Sequence, residues 1–119
     1  MNLKDFYQMI GGDYADVVQR LCDEEIVYEF LLRFADEPIF DKLQHSISTK
    51  NREEAFALIH TFKGTCANMG FGNLYSSAAK LTEALRTDFS PKVHLLFETL
   101  EADYQVVIQG IQTLQETKK

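Results

Sequence analysis

Little in this sequence breaks a helix, and nothing in it spells a sheet. Only two prolines and six glycines interrupt 119 residues. No segment of useful length alternates apolar and polar residues with the period of two that a half-buried strand requires. Cysteine is scarce as well. Cys22 and Cys66 lie far apart, with no CxxC pair and no Cys/His grouping at zinc spacing. That pattern predicts two buried, reduced thiols in a cytosolic protein. Long apolar runs are missing too: no stretch approaches the ~20 apolar residues of a bilayer-spanning helix. The opening residues MNLKDFYQMIGGD bring acid early, unlike a secretory leader. Finally, positive charge is not in excess. Twelve Lys and Arg against 18 Asp and Glu leave a net charge of −6 and a pI near 5.0, the wrong sign for nucleic acid or an anionic membrane surface. The expectation is one cytoplasmic domain over residues 1–119, without a nucleic-acid or membrane partner.

What remains is apolar residues at helical spacing between the few breakers. Residues 2–9 read as a short helix capped by Asn2, and Asp13 caps a second that runs to Leu21. A longer helix starts near Asp23, with Ile26, Val27, Phe30, Leu31 and Phe34 on one face. Pro38 either kinks it or starts a new helix after Asp36. Ile39, Phe40, Leu43 and Ile47 carry the stripe to about Ser48. Asn51 caps the next helix, which runs to about Met69. Gly70 and Gly72 then offer positive φ at a break. Asn73 to Thr87 forms another helix, and Ser90 with Pro91 opens the last. Val93, Leu96, Phe97, Leu100, Tyr104, Val107, Ile111 and Leu114 line that last helix. Four substantial amphipathic helices with short connections make an all-α antiparallel bundle the natural architecture, preceded by the two short helices.

The helix from Asn51 to Gly70 carries the chemistry. On a wheel at about 100° per residue, Ala55, Leu58, Ile59, Phe62, Cys66 and Met69 share a core face, and Phe56 lies at its edge. His60 points away from that face. Its row is unusually small: Ala57 and Gly64 lie one turn either side, and Ala67 two turns on, with Glu53 beginning the row. Exposed helix positions normally carry long polar side chains, and a mid-helix glycine costs about 1 kcal/mol relative to alanine. Gly64 therefore suggests that a partner's backbone approaches His60 closely. Lys63, three residues after His60, reaches the same side. An ammonium there neutralises a dianionic phosphoryl group carried on the imidazole. Phosphoryl transfer asks for little beyond positioning and neutralisation, and histidine supplies a neutral nucleophilic nitrogen near neutral pH. No Gly-rich phosphate loop or Mg²⁺ cage is evident, so a metal and an acidic cluster fall to a partner.

The run His60-Thr61-Phe62-Lys63-Gly64, followed by Ala67-Asn68-Met69-Gly70, resembles the histidine phosphotransfer (HPt) motif, H-x-x-K-G with a second glycine six residues later. Glu54-Ala55-Phe56-Ala57 and the stretch from Phe71 to Arg86 are similar to the paired central helices of that family. The resemblance covers the chain in length and helix order and is specific over about residues 51–86. It implies a phosphocarrier, not an enzyme, in which His60 takes a phosphoryl group from a receiver aspartate and returns it to another. It implies an all-α, antiparallel up-and-down four-helix bundle with short N-terminal capping helices, in which Lys63 and Gly64 flank the site and Gly70 ends the helix. Some members hydrogen-bond the histidine from the next helix, where this chain offers Tyr75, Ser76, Ala79, Lys80, Thr82 and Glu83, with Lys80 the candidate second cation. The expected docking residues are Ala57, Gly64, Ala67, Phe71 and Lys80. Phe71 and Phe89 read either as rim aromatics or as core. The partner is the receiver domain of a response regulator or hybrid kinase, which supplies Mg²⁺. No cofactor or metal is expected on this chain, and a monomer suffices. Met1 and the Lys118-Lys119 tail suit a free-standing protein.

Two other readings compete. The chain could be a bundle that docks receivers without carrying phosphate, against which an intact His60 and Lys63 argue. A carboxylate-type metal bundle needs Glu-x-x-His pairs. The residues three before His60, His94 and His45 are Ala57, Pro91 and Lys42, so that reading fails. His45 and His94 also lack the lysine and glycine neighbours and read as ordinary surface histidines.

Overall fold

In the computed structural model every element is helical. The structure describes the backbone of residues 1–118 and the side chains of 1–117, so the Lys118 side chain and Lys119 of the tail lie outside the described residues. Among the described residues seven helices follow in order: α1 (Leu3–Met9), α2 (Tyr14–Leu21), α3 (Glu24–Asp36), α4 (Ile39–Ser48), α5 (Arg52–Met69), α6 (Gly72–Ala84) and α7 (Lys92–Lys118).

Four of these starts are set by a side chain that accepts an otherwise orphaned backbone N–H. Asn2 accepts from Asp5, Asp13 from Asp16, Asp23 from Ile26 and Asn51 from Glu54. Pro38 restarts the chain and does not merely kink it. Glu37 before it is extended, as the proline ring demands of its neighbour, so α3 ends at Asp36 and α4 opens directly after the proline. The bundle expected to hold four main helices thus has its first long element in two pieces. α6 stops at Ala84, short of Thr87. There Arg52 Nη1 donates to the carbonyls of Leu85 and Arg86, at 2.9 and 3.1 Å, satisfying chain-end acceptors that a longer helix would have used itself.

α5 packs between α4 and α6, α6 also packs on α7, and α3 bridges α5 and α7. α7 has 27 residues, which makes it about 40 Å long, close to the 42 Å long dimension of the molecule. The core is rich in aromatic rings. Phe40 stacks on Tyr104 with centroids 3.9 Å apart, and Phe34, Phe62 and Phe71 fill the space beside them. The two thiols differ, against expectation. Cys66 is buried on α5, where burial pushes its thiol well above the usual range, while Cys22 is exposed at the end of α2 with φ of 81°. A cysteine at that helix end stands where the chain must turn outward to begin α3.

α1 and α2 are stitched to the junction of α5 and α6. Tyr7 donates its hydroxyl to the Met69 carbonyl at 2.8 Å, and Asn73 donates its N–H to Ile10 O at 3.1 Å. A Cβ at Gly12 would overlap the Gly70 carbonyl, and one at Gly72 the Gly11 carbonyl. Gly70 does adopt positive φ, at 71°. Gly72 does not; it is needed for close backbone approach instead.

Candidate functional site

His60 stands in the middle of α5, and the packing of that helix fixes where it points. Ala55, Ile59, Phe62, Cys66 and Met69 are buried. Leu58 and Phe56 are half-buried against the same core. With one face held so firmly, His60, Ala57, Gly64 and Ala67 are all left exposed, and Lys63 is half-buried beside them. The helix is pinned at both ends as well. Asn51 caps its start and also donates to the Glu54 carboxylate, at 3.1 Å. At the far end Phe71 N–H reaches back to Cys66 O at 3.0 Å across left-handed Gly70, the hydrogen bonding of a glycine C-cap.

Gly64 has no internal reason to be glycine. A Cβ built there meets no atom within 4 Å, whereas one on any of the other five glycines would press on a neighbouring atom. The space over Gly64, one turn from His60, is open.

α6 supplies the wall on one side of this strip. Arg86 donates to the Glu83 carboxylate at 2.8 Å, and its guanidinium lies 5.5 Å from the centroid of the Phe56 ring. Phe56 in turn lies 6.0 Å from the imidazole of His60, tilted by 47°. The Arg86 hydrogen bond, and less strongly the Lys63 charge, hold the Glu83 carboxyl below the usual carboxylate range. A carboxylate and two cations thus lie along the α5–α6 side of the imidazole. Both members of the Glu83–Arg86 pair are exposed, so the pair adds little to stability. The opposite wall comes from α3, where Phe30 and Arg33 line a shallow groove with Thr61 and Thr65 of α5.

Among the described residues no group of three or more His, Cys, Asp or Glu side chains could hold a metal ion, and no helix is long and apolar enough to cross a membrane. The arrangement is an exposed imidazole on an open, small-residue helix face, with a lysine one turn away. The family model for the Hpt domain matches residues 29–116, a span that holds α4 to α6 whole, most of α3 and nearly all of α7. The chain belongs to the Hpt domain family. No curated protein and no solved structure matches it. Hpt domains are phosphocarriers of two-component signalling, not enzymes in the ordinary sense, and they interact with receiver domains in phosphorelays.

One expected docking residue of this Hpt domain is placed elsewhere. Phe71 is fully buried, its ring 4.9 Å from Phe34 and 6.4 Å from both Phe6 and Tyr7. The left-handed turn at Gly70 directs the chain inward, so Phe71 belongs to the core and leaves the docking set. Lys80 is exposed but lines a concavity between α6 and α7, with Lys92 and Leu95, to which no α5 residue contributes. Glu83, whose partner Arg86 lies over Phe56 of α5, lines the same concavity, so Lys80 and Glu83 share one side of α6. Glu83 was among the α6 residues the sequence offered toward the histidine, but its pairing with Arg86 and the seat of that pair over Phe56 were not drawn from it. The Glu83–Arg86 spacing of three was a visible signal for an ion pair, but its seat over Phe56 depends on how α6 aligns with α5. Phe89, the other ambiguous aromatic, is half-buried and meets the His94 ring edge-on at 5.6 Å.

Proposed function

We propose that this Hpt domain carries the phosphoryl group on His60, between the aspartates of two receiver domains. The observation that carries the reading is the combination, on one open helix face, of an exposed imidazole and a glycine with empty space above it. A receiver docks on Ala57, His60, Gly64 and Ala67, bringing its aspartyl phosphate in line with a ring nitrogen of His60. That nitrogen attacks phosphorus and an N–P bond forms. The P–O bond to the receiver aspartate breaks and its carboxylate leaves, while the imidazole loses a proton from its other nitrogen to water. Lys63 neutralises the phosphoryl oxygens on arrival. The receiver brings Mg²⁺ and the carboxylates that hold it. The same geometry run backwards delivers the group to the next receiver.

The finer architecture in this reading is an antiparallel four-helix bundle. Its members are α3 with α4 as one broken element, α5, α6 and α7, and α1 with α2 close one end. The whole chain acts as one monomeric domain in the cytoplasm.

The test is transfer from a panel of purified receiver domains, each loaded with radiolabelled phosphate from a small acyl phosphate and Mg²⁺. Wild type should acquire an acid-labile, base-stable label, and His60→Gln should acquire none. Equal labelling of both chains would move the chemistry off His60. No label from any receiver, with binding intact, would favour a docking module that carries no phosphate.

A further inference from the structure

The segment matched by the family model starts inside α3, so α1 and α2 lie ahead of it in the chain. Their position bears on docking. α2 lies over the last turn of α5, and Arg20 lines two concavities there. One, of about 310 Å³, has Ala67, Gly70 and Tyr75 on its far side and Asp13 and Asp16 beside Arg20. The other is shared with Thr65 and Asn68 of α5 and with Phe30. Arg20 therefore sits at the end of the strip that begins at Ala57.

The size of a protein interface brings this end into play. A typical interface covers about 800 Å² per partner, a disc of roughly 16 Å radius. Ala67 lies seven residues past His60, about 10 Å along the helix axis. A receiver centred on His60 thus overlies Ala67 and the rim of the concavity beyond it. Arg20 and Tyr75 are the two large side chains there, both about 40% exposed, and arginine and tyrosine are among the residues that most often dominate interface energy. The α2 platform is held in place beforehand. Val17 of α2 packs on Gly70, and Gly12, just before α2, abuts the Gly70 carbonyl, so little ordering cost attends binding.

We propose that Arg20 and Tyr75 form a second anchor for the receiver domain, beside the His60 strip, and that α2 thereby sets which receivers this carrier accepts. Arg20, held by Asp16 at 2.9 Å in the free chain, turns to a carboxylate of the docked receiver, and Tyr75 covers the apolar wall of the concavity. The inference rests on the docking reading given above.

The experiment titrates calorimetrically the receiver that binds wild type most tightly in the same panel, against Arg20→Glu, Arg20→Gln, Tyr75→Ala and Lys92→Glu. Circular dichroism checks each fold. Lys92→Glu changes charge by the same amount in the α6–α7 concavity, which contains no α5 residue. Arg20→Glu and Tyr75→Ala should weaken binding at least about tenfold, the size of a hot-spot truncation. Arg20→Gln should fall between them and wild type, and Lys92→Glu should bind as wild type. With a receiver that also labels the chain, KM should rise while kcat stays unchanged, because neither side chain touches the imidazole. Wild-type affinity in folded Arg20→Glu and Tyr75→Ala overturns this inference and leaves His60 transfer standing. Equal weakening by Lys92→Glu reduces the effect to net charge and overturns it as well. A panel in which nothing binds wild type overturns it together with the docking reading.

Discussion

Two glycine-bearing regions of this domain obey opposite constraints. Where α1 and α2 meet the α5–α6 turn, Gly11, Gly12, Gly70 and Gly72 are enclosed by other parts of the chain. A side chain on any of them would strike Asn73, a backbone carbonyl or Val17. On the outer face of α5, Gly64 touches nothing, in a helix interior where glycine weakens the helix. In the first region the fold itself demands glycine. In the second nothing inside the molecule demands glycine, and in the function proposed above the demand comes from a receiver surface that approaches His60. The same contrast runs through the neighbouring side chains. The junction is knit by Tyr7, Val17 and Phe71, all fully buried, whereas Ala57 and Ala67 are small residues at exposed positions.

The largest expected effect breaks the enclosed region. Gly72→Ala drives a methyl into the Gly11 carbonyl, backbone against backbone with no rotamer to relieve it. It should destabilise the domain by about 3 kcal/mol, the upper end of ordinary overpacking, read as a lower urea midpoint. A shift under a third of that would mean the α1–α2 segment moves aside easily. Gly64→Ala, the same chemical change in the open region, should do the reverse and stabilise by about 1 kcal/mol from helix propensity alone. Destabilisation there would reveal an internal contact and remove the contrast.

A smaller effect concerns pH. Burial pushes both the Tyr7 phenol and the Cys66 thiol above their usual ranges. The unfolded chain ionises them at ordinary values and the folded chain only at higher pH. Stability is therefore full below the ordinary thiol range and falls as pH climbs through it and then through the phenol range. Urea midpoints at about pH 7 and about pH 10 bracket the fall, and Tyr7→Phe should make it shallower. An equally steep fall in Tyr7→Phe would assign the loss to other groups.

Much of this was legible in the residues because the signals are local. The caps Asn2, Asp13 and Asn51 act within three residues of themselves, and each makes the hydrogen bond its position promised. The outward aspect of His60 followed from helical periodicity, which depends only on the stretch itself. The illegible parts are those set by contacts between distant segments. Gly72 read as a conformational glycine because its partner, the Gly11 carbonyl, is remote in sequence. Phe71 read as ambiguous because one turn at Gly70 decides whether it faces core or rim. Cys22 read as buried from residue type, although its position at a helix end left it outside. The alignment of Arg86 over Phe56, and of α2 over Ala67, depends on how helices slide past one another, and composition and spacing carry no term for that.

The most direct measurement of the central claim joins the two halves of the comparison in one chain. Gly64→Leu should fold, with a urea midpoint at or above that of wild type, because nothing inside the molecule occupies the space. The account predicts that receiver-driven labelling of His60 in that chain falls by at least about tenfold, the loss of one well-packed interface contact. Labelling at the wild-type rate in a natively folded Gly64→Leu would contradict it, and would leave the glycine without the external surface invoked to explain it.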